Sequence, residues 1–206
     1  MSQRTPEWFA ARAGKFTGSR FGDLMATTRS GPAASRRNLI VTLAVERITG
    51  ACVEAYQNEA MRRGTELEDE AIAAYEANAG ELVELIDFVD HPSVPMCGVS
   101  PDGLVGDVGL VEVKCPASLA KHAAALQDGA HAQEYHWQIQ GQLWVSGRCW
   151  CDAVSYDPRF PEGLRLAIVR VQRDDKAIAD LEASVIKAES EVQDYVARFN
   201  KMRQST

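Results

Sequence analysis

A mixed α/β sandwich, with a central sheet flanked by helices and one domain over residues 1–206, is the fold class the sequence predicts. Three observations carry this expectation. The chain has 206 residues, 46% of them hydrophobic by type and 25% charged, with 15 Gly and 8 Pro, which is the composition of a folded chain and excludes disorder and collagen-like repeats. Its pattern runs from helices to a strand meander, two helices, two more strands and a closing helix. Neither an internal repeat nor a linker long enough to split the domain interrupts that order.

Each element has a local reason. Thr5-Pro6-Glu7 starts a short helix to about Ala13, with Thr as N-cap, Pro at the first helical position and Glu at the positive dipole end. Ser19 is expected to cap a second short helix to about Met25, and residues 27–32 read as a loop. Ser35 is expected to cap a helix whose Leu39, Leu43 and Ile48 recur at helical spacing until Gly50 stops it. A longer helix spans about Asn58 to Ala79, with Met61, Leu67, Ile72 and Tyr75 as inward candidates and Gly80 at its end. Gly64 inside it lowers helix propensity by about 1 kcal/mol relative to Ala, which suggests close approach of another backbone or a ligand.

From Leu82 the period changes, and Leu82 to Val89 reads as a strand ending at the His91-Pro92 turn. Short strands follow at Met96–Ser100, Leu104–Val105 and Leu110–Cys115, the latter two after the Pro101-Asp102-Gly103 and Asp107-Val108-Gly109 turns. Helices are placed at about 118–128 and 133–146, and strands near 149–156 and 164–171. Asp174 caps a final amphipathic helix to about Met202, with Ile178, Leu181, Val185, Val192, Val196 and Phe199 on its apolar side.

Composition also bounds function. No apolar run is long enough to span a membrane, and the N-terminus lacks the apolar core of a signal peptide, so a cytoplasmic protein is expected. Five cysteines (Cys52, Cys97, Cys115, Cys149, Cys151) form neither a CxxC pair nor a zinc-ligand pattern, and read as buried reduced thiols. The net charge of −7 argues against a nucleic-acid binder if only the total is consulted. Its distribution is more informative. Residues 1–50 carry eight basic groups against three acidic, residues 51–114 three against fourteen, and residues 115–206 eleven against twelve. A basic N-terminal region beside an acidic middle suits a chain that holds cations at one place and phosphates next to them; a solvated acidic helix face would give the same count.

The most informative segment is Ser100-Pro101-Asp102-Gly103-Leu104, followed by Glu112-Val113-Lys114. Residues two apart in a strand share a face, so Glu112 and Lys114 project together while Val113 faces the core. Antiparallel pairing of 103–105 with 110–114 brings the Asp102 carboxylate toward Glu112, making two hard oxygen ligands suited to Mg²⁺ or Mn²⁺. The Lys114 ammonium could then orient a water and offset charge on a phosphorane-like transition state. Taken alone, Asp followed by Glu-x-Lys is a common pattern, equally compatible with an exposed strand carrying an ordinary ion pair. Its setting, inside the one convincing strand hairpin and after a Pro-Asp-Gly turn, favours a metal-dependent phosphodiesterase. Glu68, at the boundary of the buried side of its helix, is a candidate third carboxylate. Gln138 and Gln142, four apart, share a helix face and are either surface amides or a donor set aimed at water or phosphate.

Several motifs in order carry a resemblance. They are Trp8-Phe9-Ala10-Ala11-Arg12-Ala13-Gly14, Thr17-Gly18-Ser19, Gly64-Thr65-Glu66-Leu67-Glu68, the Ser100–Leu104 segment, Gly109 through Pro116, Gln138-Ile139-Gln140 leading to Leu143-Trp144-Val145, and Tyr156-Asp157-Pro158-Arg159. Over about Trp8 to Arg173 the chain resembles the phage lambda exonuclease family, also called the YqaJ or viral recombinase type, in the PD-(D/E)XK nuclease superfamily with its restriction-endonuclease-like core. The resemblance implies 5′→3′ digestion of one strand of linear duplex DNA, release of mononucleotides, and a 3′ single strand left for a single-strand annealing recombinase. It implies Asp102 and Glu112 as metal carboxylates, the Val113 carbonyl as a further ligand, Glu68 near a second ion, Lys114 as catalytic lysine and Gln138 beside the nucleophilic water. Arg12, Ser19 and Ser100 match a 5′-phosphate pocket, Arg29 an arginine tracking the downstream duplex, and Met61 a hydrophobic wedge at the terminal base pair. A toroidal homotrimer and a phage or prophage origin in a bacterial host are implied in the same way.

Two other readings compete. An endonuclease of the same fold would share the carboxylates and lysine but needs no 5′-phosphate pocket. A silent DNA-binding module would have lost Asp102, Glu112 or Lys114, and all three are present.

Overall fold

The computed structural model describes residues 5–53 and 59–204, without the side chains of 59–61. Helix α1 (Pro6–Arg12) starts as expected, with the Trp8 amide donating to Thr5 Oγ1 at 3.3 Å. Strand β1 (Phe16–Thr17), a single 3₁₀ turn at Gly18–Arg20 and helix α2 (Phe21–Met25) follow. Residues 27–32, expected as a loop, form a small hairpin of β2 (Thr27–Thr28) and β3 (Gly31–Pro32). Helix α3 (Ala34–Thr49) begins one residue before the expected Ser35 cap and closes at Gly50 in the left-handed region, φ +69°. Helix α4 covers Glu59–Ala79.

The expected strand at 82–89 is split. Val83–Glu84 (β4) and Val89–Asp90 (β5) join different sheets, and Leu82 and Leu85 are exposed. Strand β6 (Cys97–Val99) pairs with β5 antiparallel and with β1 parallel, giving the small sheet β1-β6-β5. The large sheet has the order β10-β9-β8-β7-β4, from β7 (Gly103–Val105), β8 (Gly109–Lys114), β9 (Trp150–Tyr156) and β10 (Leu166–Gln172). Its pairing is antiparallel except between β8 and β9, so the sheet is mixed. Helix α5 (Leu119–Asp128) matches its expected span. The next expected helix breaks at Tyr135 (φ −102°, ψ 16°) into α6 (Ala130–Glu134) and α7 (His136–Ser146). Helix α8 (Asp175–Gln204) is capped as expected by Asp174, whose Oδ1 accepts from the amides of Lys176 and Ala177.

Strand periodicity then sorts the core. Val111 and Val113 face α4, where they pack with Ala71, Tyr75, Val154 and Tyr156. Leu110 faces the other way, onto Ile139 and Leu143 of α7 together with Cys151 and Ala153. The sheet is thus covered on both faces, and its central strand β8 is buried along most of its length. A third cluster packs α2, α3, α8 and the far side of α7 through Phe21, Leu43, Trp144, Leu181 and Val185. A Cβ at Gly141 would lie 2.2 Å from the Phe21 ring, so glycine there sets how closely α2 meets α7. At Gly64 the expected approach of another backbone is not met among the described residues, since a Cβ added there meets nothing within 4 Å. Cys97, Cys115 and Cys151 are buried free thiols, but Cys149 is exposed and Cys52 half-buried, so the expectation of buried thiols fails for these two.

Candidate active site

The site grows from the connection between the two sheets. Ser100, Pro101 and Asp102 link β6 of the small sheet to β7 of the large one. Because β7 starts at Gly103 opposite Val111, the edge of β8 beyond Val111 has no strand on that side. Asp102 fills the gap, its Oδ2 accepting from the Val113 amide at 2.7 Å. In an extended strand a residue's N–H and C=O point to the same side, so the Val113 carbonyl lies on the edge that Asp102 occupies. Asp102 is thereby held beside the end of the central strand.

Glu112 and Lys114 project from β8 on the α7 face, as the period of two requires, and the Lys114 ammonium donates to Glu112 Oε1. Glu112 is 2% exposed. Its carboxylate also accepts from Gln138 Nε2 on Oε1 and from Gln142 Nε2 on Oε2, the latter at 2.6 Å. Both glutamines come from one face of α7, so their spacing of four places the two amides on one target. Lys114 Nζ further lies 4.7 Å from the centroid of the Tyr135 ring, a cation–π contact made by the residue that breaks α6 from α7.

Charges crowd together at this point. Burial, then the neighbouring Glu112 charge, push the Asp102 carboxyl well above the usual carboxylate range, with Glu68 adding to the same effect. Burial alone would lower Lys114, but Glu112 and Asp102 outweigh it and the ammonium is held above its ordinary value. Two carboxylates, a strand-edge carbonyl and an electrostatically coupled third carboxylate form a hard oxygen set, which suits Mg²⁺ or Mn²⁺. Among the described residues no three His, Cys, Asp or Glu side chains close into a ready-made cage.

Beside this cluster lies a cationic pocket. Arg12, at the end of α1, stacks 4.1 Å from the Trp8 ring centroid, and its Nη2 donates to Thr17 Oγ1 and Ser19 Oγ, each at 3.3 Å. Trp8 Nε1 in turn donates to Ser100 Oγ at 3.0 Å, tying the pocket to the Asp102 link. Ser19 was expected to cap α2; its hydroxyl receives Arg12 instead, and Arg20 occupies the position before α2 without a side-chain cap. Among the described residues no carboxylate pairs with Arg12. Burial first, then the charge of Arg20, lowers its pKa to about 10. A guanidinium in such surroundings gains most from an anion.

Arg20 is neutralised by contrast. Glu46, fully buried on α3, receives both its terminal nitrogens at 2.8 and 2.6 Å, and also the Gly14 amide at 2.7 Å and the Val53 amide at 2.9 Å. Burial would raise the Glu46 pKa, but the Arg20 hydrogen bonds and the two amides outweigh it and the net shift is downward. A carboxylate with a depressed folded-state pKa stabilises the fold above its unfolded value, and this contribution is lost as pH falls through the folded value. Glu46→Gln is therefore expected to cost about 3 kcal/mol near neutral pH, with the gap from the unmodified chain closing below about pH 4. Urea unfolding of both chains at pH 7 and at pH 3 checks this; a gap independent of pH would remove the ionic account.

Three expected residues remain. Glu68 is half-buried on α4 and acts on Asp102 through its charge. Arg29 is exposed at the tip of the β2–β3 hairpin. Met61 lies in the first turn of α4, and its side chain is outside the described residues. Trp8 and Glu46 are the contributors that sequence reasoning missed. Trp8 was visible only within a motif, and Glu46 as one of few acids in a basic stretch.

Comparisons with known proteins identify the family and the fold. Residues 7–149 match the YqaJ-like viral recombinase domain. The crystal structure of an alkaline exonuclease (LHK-Exo) from Laribacter hongkongensis is 42% identical in sequence. It superposes with a TM-score of 0.89 over 98% of this chain and 99% of that one, and the same protein in complex with dAMP matches equally well. A phage-related exonuclease from Haemophilus somnus 129PT, 16% identical over 91% of this chain and 96% of that one, has a TM-score of 0.74 and shares the fold. No curated protein sequence matches the chain. With 143 consecutive residues inside the matched domain and a solved relative aligned along nearly its whole length, the chain belongs to the YqaJ-like viral recombinase family.

Proposed function

We propose that this protein is a Mg²⁺-dependent 5′→3′ exonuclease acting on linear double-stranded DNA. It releases nucleoside 5′-monophosphates and leaves a 3′ single strand for a single-strand annealing recombinase in phage-type recombination. One observation carries the reading. The three-residue link Ser100–Asp102 joins a pocket built on Arg12, which no described carboxylate neutralises, to the Asp102, Glu112 and Lys114 cluster. A terminal phosphate held in the first would set the strand's end across the second. The alkaline exonuclease relative and its dAMP complex, a nucleoside monophosphate, support the same reaction class.

In this mechanism Asp102, Glu112 and the Val113 carbonyl would hold one cation, and Glu68 would stand near a second. Bound there, Mg²⁺, or Mn²⁺ in its place, supplies Lewis acidity and lowers the pKa of an attacking water. Lys114 orients that water and offsets negative charge growing on the phosphoryl oxygens. Gln138 steadies Glu112 and lies beside the water's position. The water oxygen attacks phosphorus, the P–O3′ bond breaks, the 3′ oxygen takes up a proton, and the next nucleotide is left with a new 5′ phosphate. Arg12, Ser19 and Ser100 receive that phosphate, Arg29 follows the duplex, and Met61 parts the terminal base pair.

The working form on this reading is a homotrimeric toroid around DNA in the cytoplasm of a bacterial host. No helix among the described residues is long and apolar enough to cross a membrane. A single digestion tests the reading. Linear duplex with one 5′-phosphorylated and one 5′-hydroxyl end should lose nucleotides from the phosphorylated end with Mg²⁺ and remain intact with chelator, while closed circular duplex stays whole. Cleavage of the circle would instead establish an endonuclease of the same fold. Light scattering at micromolar concentration checks the trimer, and a monomer would remove it.

A further inference from the structure

We propose that Gln142 is a second positioning residue for Glu112, holding the carboxylate oxygen that Lys114 and Gln138 leave free. The inference rests on Glu112 being a cation ligand, and adds a residue to that site. Gln142 is 1% exposed, and its Nε2 donates to Glu112 Oε2 at 2.6 Å, while Oε1 of the same carboxylate receives Lys114 and Gln138. With donors on both oxygens, rotation of the carboxylate about its last bond would break hydrogen bonds on either side. A carboxylate accepts about four, and these donors take three, so one lone-pair site remains for a cation, on Oε2.

The rest of the Gln142 amide shows what the residue is for. Its Oε1 is buried and finds no donor among the described residues. Turning the amide over would set this oxygen against Glu112 Oε2 and withdraw the one donor that the described residues give it. The side chain thus leaves one buried acceptor unpaired, an unfavourable arrangement, in order to give its N–H to Glu112. Gln140, two residues away and equally buried, differs in this respect. Its Nε2 donates to the Gln172 carbonyl and its Oε1 accepts from the Asp174 amide, both at 2.9 Å, so it pins α7 to β10 and to the start of α8.

Residues that orient metal ligands typically change metal affinity by 10- to 100-fold when removed. Mn²⁺ binding to the purified protein without DNA, followed by calorimetry and by electron paramagnetic resonance, reads this independently of catalysis. Gln142→Leu is expected to weaken Mn²⁺ binding at least about tenfold while keeping the circular dichroism spectrum. Gln140→Leu is expected to lower the melting temperature and leave Mn²⁺ affinity within about twofold, well short of the ligand-orienting range. A folded Gln142→Leu chain with unchanged affinity overturns the proposal. If that variant does not fold, Gln142→Met replaces it, and failure of both to fold makes the residue structural and equally overturns it. Absence of Mn²⁺ binding by the unmodified protein is a different result: it would remove the cation reading of Glu112 itself.

Discussion

Lys114→Met is expected to lower the rate of duplex digestion by about 10²–10³-fold, the loss that follows when a donor aimed at developing charge is removed from an enclosed site. The ammonium is the one described cation in contact with Glu112, and the negative charges of Glu112 and Asp102 keep it protonated. Methionine preserves most of the stem and its packing against Tyr135 while deleting the charge. Asp102→Asn and Glu112→Gln should be at least as damaging, since each halves the charge of the carboxylate pair. Asn at 102 can still accept the Val113 hydrogen bond, so the backbone register has no reason to change. Initial rates on linear 5′-phosphorylated duplex, with circular dichroism as the control for folding, decide the matter. Digestion near the unmodified rate by any of the three variants would show that the cluster is an ordinary ion pair on a strand.

The parts of this site that were legible in the sequence are those set by a short period. Alternation along β8 places Glu112 with Lys114, and the spacing of four on α7 places Gln138 with Gln142, whatever the rest of the chain does. What could not be read depends on partners far along the chain. The bond from Trp8 to Ser100 spans 92 residues, and the Glu46 contacts to Gly14 and Arg20 span 32 and 26. The same distinction explains the fold. Residues 82–89 have strand composition throughout, but Val83 finds its partner in β7 and Val89 in β6, so the sheets divide what local composition joins. Ser19 reads as a cap because serine before a helix usually is one; a guanidinium from α1 takes the hydroxyl instead. Gln142 carries no signal beyond its spacing, because a buried amide shows its purpose only once the carboxylate opposite is known.

Arg12→Ala should slow digestion of 5′-phosphorylated ends by about 10- to 100-fold and shrink the difference between phosphorylated and hydroxyl ends, with Mn²⁺ still bound. The magnitude is that of charge-assisted hydrogen bonds, about 1.5–3 kcal/mol. A terminal phosphate carries more negative charge than an internal diester, so a half-buried guanidinium discriminates between them, and its fork can grip two oxygens at once. Arg20, although nearby, is occupied by Glu46 and cannot take over this task without breaking a bidentate pair. Each hydrolysis leaves a new 5′ phosphate one nucleotide behind the old one, and attraction toward Arg12 then favours forward movement along the strand. The variant should therefore also release shorter runs of nucleotides per encounter when challenged with competitor DNA. Arg12→Lys separates the two contributions: it keeps the charge but loses the fork and much of the stacking on Trp8, and should fall between the alanine variant and the unmodified chain. Should Arg12→Ala retain the full preference for phosphorylated ends, the pocket beside Ser100 does not hold the terminal phosphate, and Lys15, whose single ion-pair contact among the described residues is to the exposed Asp90, becomes the residue to test next.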